Sequence, residues 1–88
     1  MTDDEVLERL TNLIRDVLDD EDIVVTPTTT AEDVKDWDSA NHINIVVTAE
    51  SRFKVKFNSA EIERLRNVGD FVTVIQKKLA DKELGKSA

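Results

Sequence analysis

The stretch that decides the fold reads Trp37-Asp38-Ser39-Ala40-Asn41-His42-Ile43, where a polar connection gives way to an amphipathic helix. Asp38 suits the N-cap position, because its carboxylate can accept a hydrogen bond from a free backbone N–H of the first turn. Ser39 then starts the helix with its hydroxyl beside the positive end of the helix dipole, which favours a phosphate ester. The local chemistry therefore indicates a serine that carries a phosphate-linked group, although unmodified serines are also common at helix starts.

A first helix is predicted upstream of this stretch. Thr2 and Glu5 have the spacing of a capping box, and Asp3 and Asp4 suit the positive end of the dipole. Apolar residues then recur every three or four positions, which predicts one buried stripe: Val6, Leu7, Leu10, Leu13, Ile14, Val17 and Leu18. The acidic run 19–22 is expected to end the helix, because carboxylates at a helix C-terminus oppose the dipole.

Residues 23–38 are predicted to form a long connection around Pro27, which disfavours a regular helix. The run 23–25 is expected to fix this loop to the core, and Thr30 with Asp33 is expected to cap one short helical turn. Loops of this length in so small a domain are usually functional. This loop ends directly before Ser39.

The remainder of the chain predicts three further helices. The second helix begins at Asp38 or Ser39, residues 53–57 form an extended loop, Asn58 and Glu61 open a short helix, and Asp70 caps the last one. The expected fold class is all-α: a small bundle of three longer helices and one short helix, with a long loop between helices 1 and 2. The residues predicted to be buried are Leu10, Ile14, Ile43, Val47, Phe53, Phe71 and Ile75.

Composition and charge narrow the classes of function. The chain has 88 residues, no cysteine and a net charge of −7, which indicates one small domain without disulfides and argues against binding to nucleic acid. Residues 1–38 hold 13 Asp or Glu against 3 Lys or Arg, whereas residues 39–88 hold 6 against 9. No apolar run approaches the roughly 20 residues of a membrane span, and the charged start does not resemble a secretory signal. The expected location is the cytoplasm.

The chain resembles the acyl carrier protein family over roughly residues 3–80. The resemblance rests on Asp38-Ser39, the apolar positions Ile43, Val46 and Val47 after them, the run 53–57, and the later run 68–72. It implies a 4′-phosphopantetheine arm on Ser39, attached by a phosphopantetheinyl transferase, whose thiol holds an acyl group. It also implies a non-catalytic carrier domain over residues 1–82 with a frayed tail over 83–88. Acyl-loading ligases or acyltransferases and acyl-processing enzymes would be the partners of this monomer.

Departures from the family pattern lie on the second helix. Members usually have Leu after the serine, followed by an acidic helix face that basic partner enzymes recognise, whereas Ala40, Asn41 and Asn44 stand at those positions here. We therefore expect Ala40, Asn41, His42 and Asn44 to contribute to partner recognition. The family resemblance further implies that Asp38 orients the serine and helps hold a metal ion during its modification. These differences favour a dedicated carrier in a fatty-acid, polyketide or related specialised pathway.

Several other functions are compatible with parts of the sequence. An aminoacyl or peptidyl carrier has the same helical architecture, and an acidic interaction module that carries nothing remains a further alternative. A hydrolase using Ser39 and His42 is disfavoured, because no nucleophile elbow or oxyanion hole accompanies the pair; an exposed polar histidine is preferred. The acidic run 19–22 lacks the glycine and ligand spacing of a calcium loop, so no resident metal site is predicted.

Overall fold

The computed structural model describes residues 2–87, with side chains through residue 82. This part of the chain contains four α-helices and one 3-10 turn. The elements are α1 (Asp3–Leu18), a 3-10 turn (Ala31–Asp33), α2 (Ser39–Phe53), α3 (Ser59–Glu63) and α4 (Val68–Ser87). No strand is present within residues 2–87. The structure thus confirms the predicted bundle of three longer helices and one short helix.

The start and end of α1 follow from local hydrogen bonds. The Thr2 hydroxyl accepts from the backbone N–H of Glu5 at 3.2 Å, and the Glu5 carboxylate accepts from the Thr2 N–H at 3.4 Å, which completes the predicted capping box. The helix ends because Asp19 adopts the left-handed conformation, with φ of 52°. The Asp20 N–H then donates to the Arg15 carbonyl at 3.0 Å, a common way to close a helix C-terminus.

One aliphatic core joins α1 to α2 and α4, against both of which α1 packs. Of the seven residues predicted to be buried, five are confirmed: Leu10, Ile14, Phe53, Phe71 and Ile75. The predicted stripe of α1 is also confirmed, because its members are either buried or partly buried against the core. The core therefore matches the sequence pattern on α1 and α4.

Part of the predicted inward face of α2 is wrong: Phe53 is buried as expected, but two other members are not. Ile43 and Val47 were expected in the core, but their exposed fractions are 50% and 55%, whereas Ile45 and Val46 are almost completely buried. Apolar residues occupy more than one face of this helix, so spacing alone did not identify the buried one. The face that packs on α1 instead contains Ile45, Val46, Ala49 and Phe53.

The long loop between α1 and α2 is fastened to the start of α4. The N–H groups of Val68 and Gly69 donate to the carbonyls of Thr29 and Pro27 at 2.9 and 2.8 Å. A Cβ on Gly69 would lie 2.9 Å from the Pro27 oxygen, so glycine permits this close approach. Not all of the run 23–25 fixes the loop as expected, because Val24 is 76% exposed.

The cap of α4 differs from the predicted one. Asp70 was expected to cap this helix, but the helix begins at Val68 and the Asn67 side chain accepts from the Asp70 N–H at 2.8 Å. The Asp70 carboxylate instead accepts from the Arg66 N–H at 3.1 Å. The backbone of α4 continues to Ser87. The side chains of the predicted tail, 83–88, lie outside the described residues, so the boundary at residue 82 stays a prediction.

Candidate functional site

The start of α2 is built as the sequence predicts. Asp38 has an extended backbone, and its Oδ1 accepts a hydrogen bond from the Asn41 N–H at 2.9 Å. Its carbonyl accepts from the His42 N–H at 2.8 Å, which begins the helical hydrogen-bond series. Asp38 is therefore the N-cap, and Ser39 is the first helical residue, with an exposed side chain.

A left-handed residue in the preceding loop sets the direction from which the chain enters α2. Asp36 has φ of 72°, and its carbonyl accepts from the Asp38 N–H at 3.0 Å. The same carbonyl accepts from Nδ2 of Asn41 at 2.7 Å. The Asn41 side chain thus fastens the first turn of the helix to the loop, and it is only partly exposed.

Trp37 and His42 form a direct side-chain pair across this helix start. Nε1 of Trp37 donates to Nδ1 of His42 at 3.1 Å, and the two ring planes are inclined by 25° with centroids 6.2 Å apart. Trp37 is 8% exposed, as expected for a residue that anchors the loop. His42 was expected to be exposed, but it is only partly so, because its ring contacts Trp37 and Phe71.

Aromatic contacts continue from this pair to α4. The His42 ring meets the Phe71 ring edge-on with centroids 6.5 Å apart, and Phe71 meets Phe57 in the same manner at 5.7 Å. Phe71 is 1% exposed, so the row passes through the core. The imidazole is therefore held on two sides, by the indole and by a buried phenyl ring.

A groove of about 640 Å³ lies beside Ser39. It runs between the start of α2, the 3-10 turn and the segment that contains α3. Its lining is mainly apolar, with two carboxylates and no Lys or Arg: Ala31, Trp37, Asp38, Ser39, His42, Ile43, Ile62, Glu63 and Leu65. Such a groove can receive an uncharged, extended chain attached at its edge.

An ion pair connects the α3 wall of this groove to α4. Nζ of Lys78 lies 2.7 Å from Oε1 of Glu61, and the Asn58 N–H donates to the same oxygen at 2.9 Å. The hydrogen bond from Lys78, followed by that from Asn58, lowers the pKa of Glu61 below its ordinary value. The pair fixes the short α3, which has too few residues to be stable alone.

The exposed face of α2 carries most of the other residues predicted to meet partners. Ala40 and Asn44 are exposed, and Nδ2 of Asn44 donates to Oδ1 of Asn41 at 3.3 Å. Ile43 and Val47 belong to this face as well, a feature that the sequence interpretation missed. The extra apolar positions on α2 were the available signal, because one buried face could not accommodate them all.

The exposed face of α2 offers little charge. Glu50, the one acidic residue of the helix, uses its Oε2 to accept from the Phe57 N–H at 2.8 Å. Near the helix end, Arg52 lies 2.9 Å from an Asp16 carboxylate oxygen on α1. Among the described residues, no group of three or more His, Asp or Glu is placed to hold a metal ion. No described helix is long and apolar enough to cross a membrane.

Comparison with known proteins identifies the family, although no family model matches the chain. The meromycolate extension acyl carrier protein of Mycobacterium leprae is 34% identical over 77 residues, which cover 88% of this chain and 67% of that protein. The Mycolicibacterium smegmatis protein of the same name is 36% identical over 76 residues, 86% and 77% of the two chains.

A solved structure agrees with these relatives. The solution NMR structure of holo acyl carrier protein from Geobacter metallireducens superimposes with a TM-score of 0.83 at 44% identity, covering 88% of each chain. The match thus extends over nearly the whole fold at substantial sequence identity. The chain belongs to the acyl carrier protein family, and its function is to carry acyl groups.

Proposed function

We propose that the chain carries its acyl group on a 4′-phosphopantetheine arm esterified to the Ser39 hydroxyl. The observation that carries this proposal is an exposed serine at the first position of α2, directly after the capping Asp38 and at the edge of a 640 Å³ apolar groove. When bound, the arm supplies a thiol that holds the acyl group as a thioester.

The residues around Ser39 fit such a group. The Ser39 hydroxyl makes no hydrogen bond to any described residue, so a transferase can reach it. The groove beside it offers apolar side chains, including Ile43, Ile62 and Leu65, against which an extended arm or the start of an acyl chain can lie. Burial of this kind stabilises a bound chain by about 25 cal/mol for each Å² of apolar surface removed from water.

Asp38 is proposed to act both on the fold and on the modification reaction. Its Oδ1 caps α2 by accepting from Asn41, while its Oδ2 has no hydrogen-bond partner among the described residues. That second oxygen is free to help hold a metal ion while a phosphopantetheinyl transferase moves the arm from coenzyme A to Ser39. The capping oxygen meanwhile keeps Ser39 at the helix start.

The carrier itself is proposed to be non-catalytic, monomeric and cytoplasmic. Acyl-loading ligases or acyltransferases and downstream acyl-processing enzymes are its proposed partners. Because Ala40 replaces the usual leucine, and Asn41 and Asn44 replace the usual acidic residues, we place the chain in a specialised fatty-acid, polyketide or related pathway. The relatives named for meromycolate extension support that direction.

Intact-mass spectrometry tests the attachment. After incubation with a broad-specificity phosphopantetheinyl transferase and coenzyme A, the native chain should gain one arm and Ser39→Ala none. Ser59 provides a matched control, since it is also an exposed first residue of a helix and follows a capping Asn58. The double variant Ser39→Ala/Asn58→Asp recreates an Asp-Ser pair at α3 and should stay unmodified, because Ser59 neither begins α2 nor lines the groove. An arm on the Ser39→Ala chain would contradict the assignment.

The cargo separates an acyl carrier of a lipid pathway from an aminoacyl carrier. Holo protein isolated from the cell should release its cargo on thioester cleavage. A fatty or polyketide acid supports the proposal. An amino acid would support the aminoacyl alternative, and a chain that never accepts an arm would support an interaction module.

A further inference from the structure

The hydrogen bond between Trp37 and His42 fixes which imidazole nitrogen carries the proton. An indole Nε1–H can only donate, so Nδ1 of His42, at 3.1 Å, must be the accepting nitrogen and must lack a proton. In the neutral ring the proton then lies on Nε2. The hydrogen bond from the indole and the contact with the Phe71 ring keep the imidazole in this orientation.

The Nε2–H of this tautomer is left without a protein partner. His42 makes no hydrogen bond to a described residue through Nε2, and no described buried side-chain nitrogen or oxygen lacks a partner. The Nε2–H is therefore accessible to solvent. His42 also lines the groove beside Ser39, so this donor is available to a ligand there.

Helix geometry brings His42 close to whatever Ser39 carries. Residues three apart lie on the same face of a helix, and side chains lean toward the helix N-terminus. His42 therefore shares a helix face with Ser39, and both residues line the same groove. No Lys or Arg lines this groove, and the Trp37 N–H is already used. His42 is thus the remaining nitrogen donor among the lining side chains.

We infer that Nε2–H of His42 donates a hydrogen bond to the phosphodiester of a group attached to Ser39, with Trp37 acting as the positioning residue that holds the donor tautomer. This inference rests on the proposed attachment at Ser39. It gives His42 a role in holding the base of the arm at the groove edge. A hydrogen bond to a charged oxygen is stronger than one between neutral groups, so one donor suffices for a measurable effect.

Nuclear magnetic resonance tests the inference without ambiguity of assignment, because the chain has one His and one Trp. In the neutral ring of the apo protein, long-range proton–nitrogen spectra should show Nε2 protonated and Nδ1 unprotonated. On conversion to the holo protein, the Nε2 resonance should shift and its proton should exchange more slowly with water. A proton on Nδ1, or identical Nε2 signals in the two forms, would overturn the inference.

Variants of the holo protein test the hydrogen-bond donor, His42, separately from its positioning residue, Trp37. The phosphorus resonance of the arm should shift in His42→Leu, which removes the donor, and shift less in His42→Gln, whose amide can reach the position of Nε2. In Trp37→Phe, which keeps an aromatic ring but loses the N–H, the two histidine tautomers should mix and the phosphorus signal should move part of the way. Equal phosphorus signals in all four proteins would exclude the hydrogen bond. Absence of the arm by intact mass would instead refute the attachment at Ser39.

Discussion

Ile43 and Ile45, two positions apart on α2, lie on different sides of the helix: Ile45 is fully buried, whereas half of Ile43 is exposed. Ile45 packs in the core that joins α1, α2 and α4. Ile43 lines the groove beside Ser39. The same residue type therefore stabilises the fold at position 45 and lines the candidate site at position 43.

This difference predicts unequal costs for one chemical change. Ile45→Ala should lower the free energy of unfolding by about 2–5 kcal/mol, because it removes buried methyl groups and leaves a cavity. Ile43→Ala should change it by no more than about 0.5 kcal/mol, as expected for a surface substitution. Urea denaturation of both variants measures the two values. Similar losses for the two would show that the face of α2 is assigned wrongly.

The spacing of apolar residues along α1 and α4 is sufficient to predict which of their residues are buried. The spacing along α2 is not. On α1 the apolar positions form one stripe with charged residues elsewhere, so only one face can be buried. On α2 the apolar set spreads over a wider arc, because Ile43 and Val47 face the surface. A sequence pattern reports which residues are apolar, and it cannot report which of two apolar faces another helix covers.

The candidate site likewise has some features that the sequence predicts and one that it does not. The capping role of Asp38 and the position of Ser39 depend on neighbours within three residues, so both were predictable. The Trp37–His42 bond depends on the left-handed Asp36, which turns the loop so that the indole reaches the helix. A non-glycine residue with positive φ is rare enough that a sequence gives little warning of it.

Lys54 offers a simple route to a more stable protein. It follows α2 with φ of 56°, while the Val55 N–H donates to the Glu50 carbonyl at 3.1 Å to close the helix. A side chain in this conformation costs about 1–2 kcal/mol, and the extra entropy of unfolded glycine offsets about 0.5–1 kcal/mol of any gain. Lys54→Gly should therefore stabilise the protein by about 0.5–1 kcal/mol.

The matched control for Lys54→Gly is Lys56→Gly, which removes an identical charged side chain two residues later. Lys56 is exposed and has no positive φ, so glycine there should lower stability slightly through unfolded-state entropy. Thermal or urea midpoints compare the two. A gain in both variants would point to charge, and a loss in both would mean that the conformation of Lys54 carries no cost.

The Glu61–Lys78 pair predicts a pH-dependent contribution to stability. Since the pKa of Glu61 in the folded protein lies below its ordinary value of 4.5, ionised Glu61 favours the folded state above that pH. The contribution should disappear as the pH falls from 4.5 through the lower folded-state pKa. Glu61→Gln should thus be less stable than the native chain at neutral pH, and the difference should shrink under acid conditions.

Glu63→Gln is the control for this pH dependence. It lies on the same short helix but is exposed and has no ion pair with a described residue. Its stability relative to the native chain should stay nearly constant with pH, because no folded-state partner is lost. Urea unfolding at neutral and acid pH measures both variants. A difference for Glu61→Gln that does not change with pH would contradict the role of the ion pair.

Partner choice follows from the near absence of free charge on the exposed face of α2. Glu50 is engaged with Phe57 and Arg52 with Asp16, and the exposed side chains of α2 before Glu50 include no carboxylate, Lys or Arg. Complementary charge sets the encounter rate and specificity of protein pairs more than their final affinity. Enzymes that recognise an acidic helix should therefore find little attraction here.

We predict that the modified protein is a poor substrate for a housekeeping malonyl transferase, and that Ala40→Leu/Asn44→Glu raises the transfer rate. The leucine restores an apolar contact after Ser39, and the glutamate adds attraction that should weaken as salt rises. Asn41 is left unchanged, because its Nδ2 holds the Asp36 carbonyl at 2.7 Å and a carboxylate there would loosen the helix start. Ala40→Leu/Asn44→Gln controls for charge and should keep only the salt-independent part of the gain. Equal transfer rates for all three proteins at low and high salt would show that other surfaces decide partner choice.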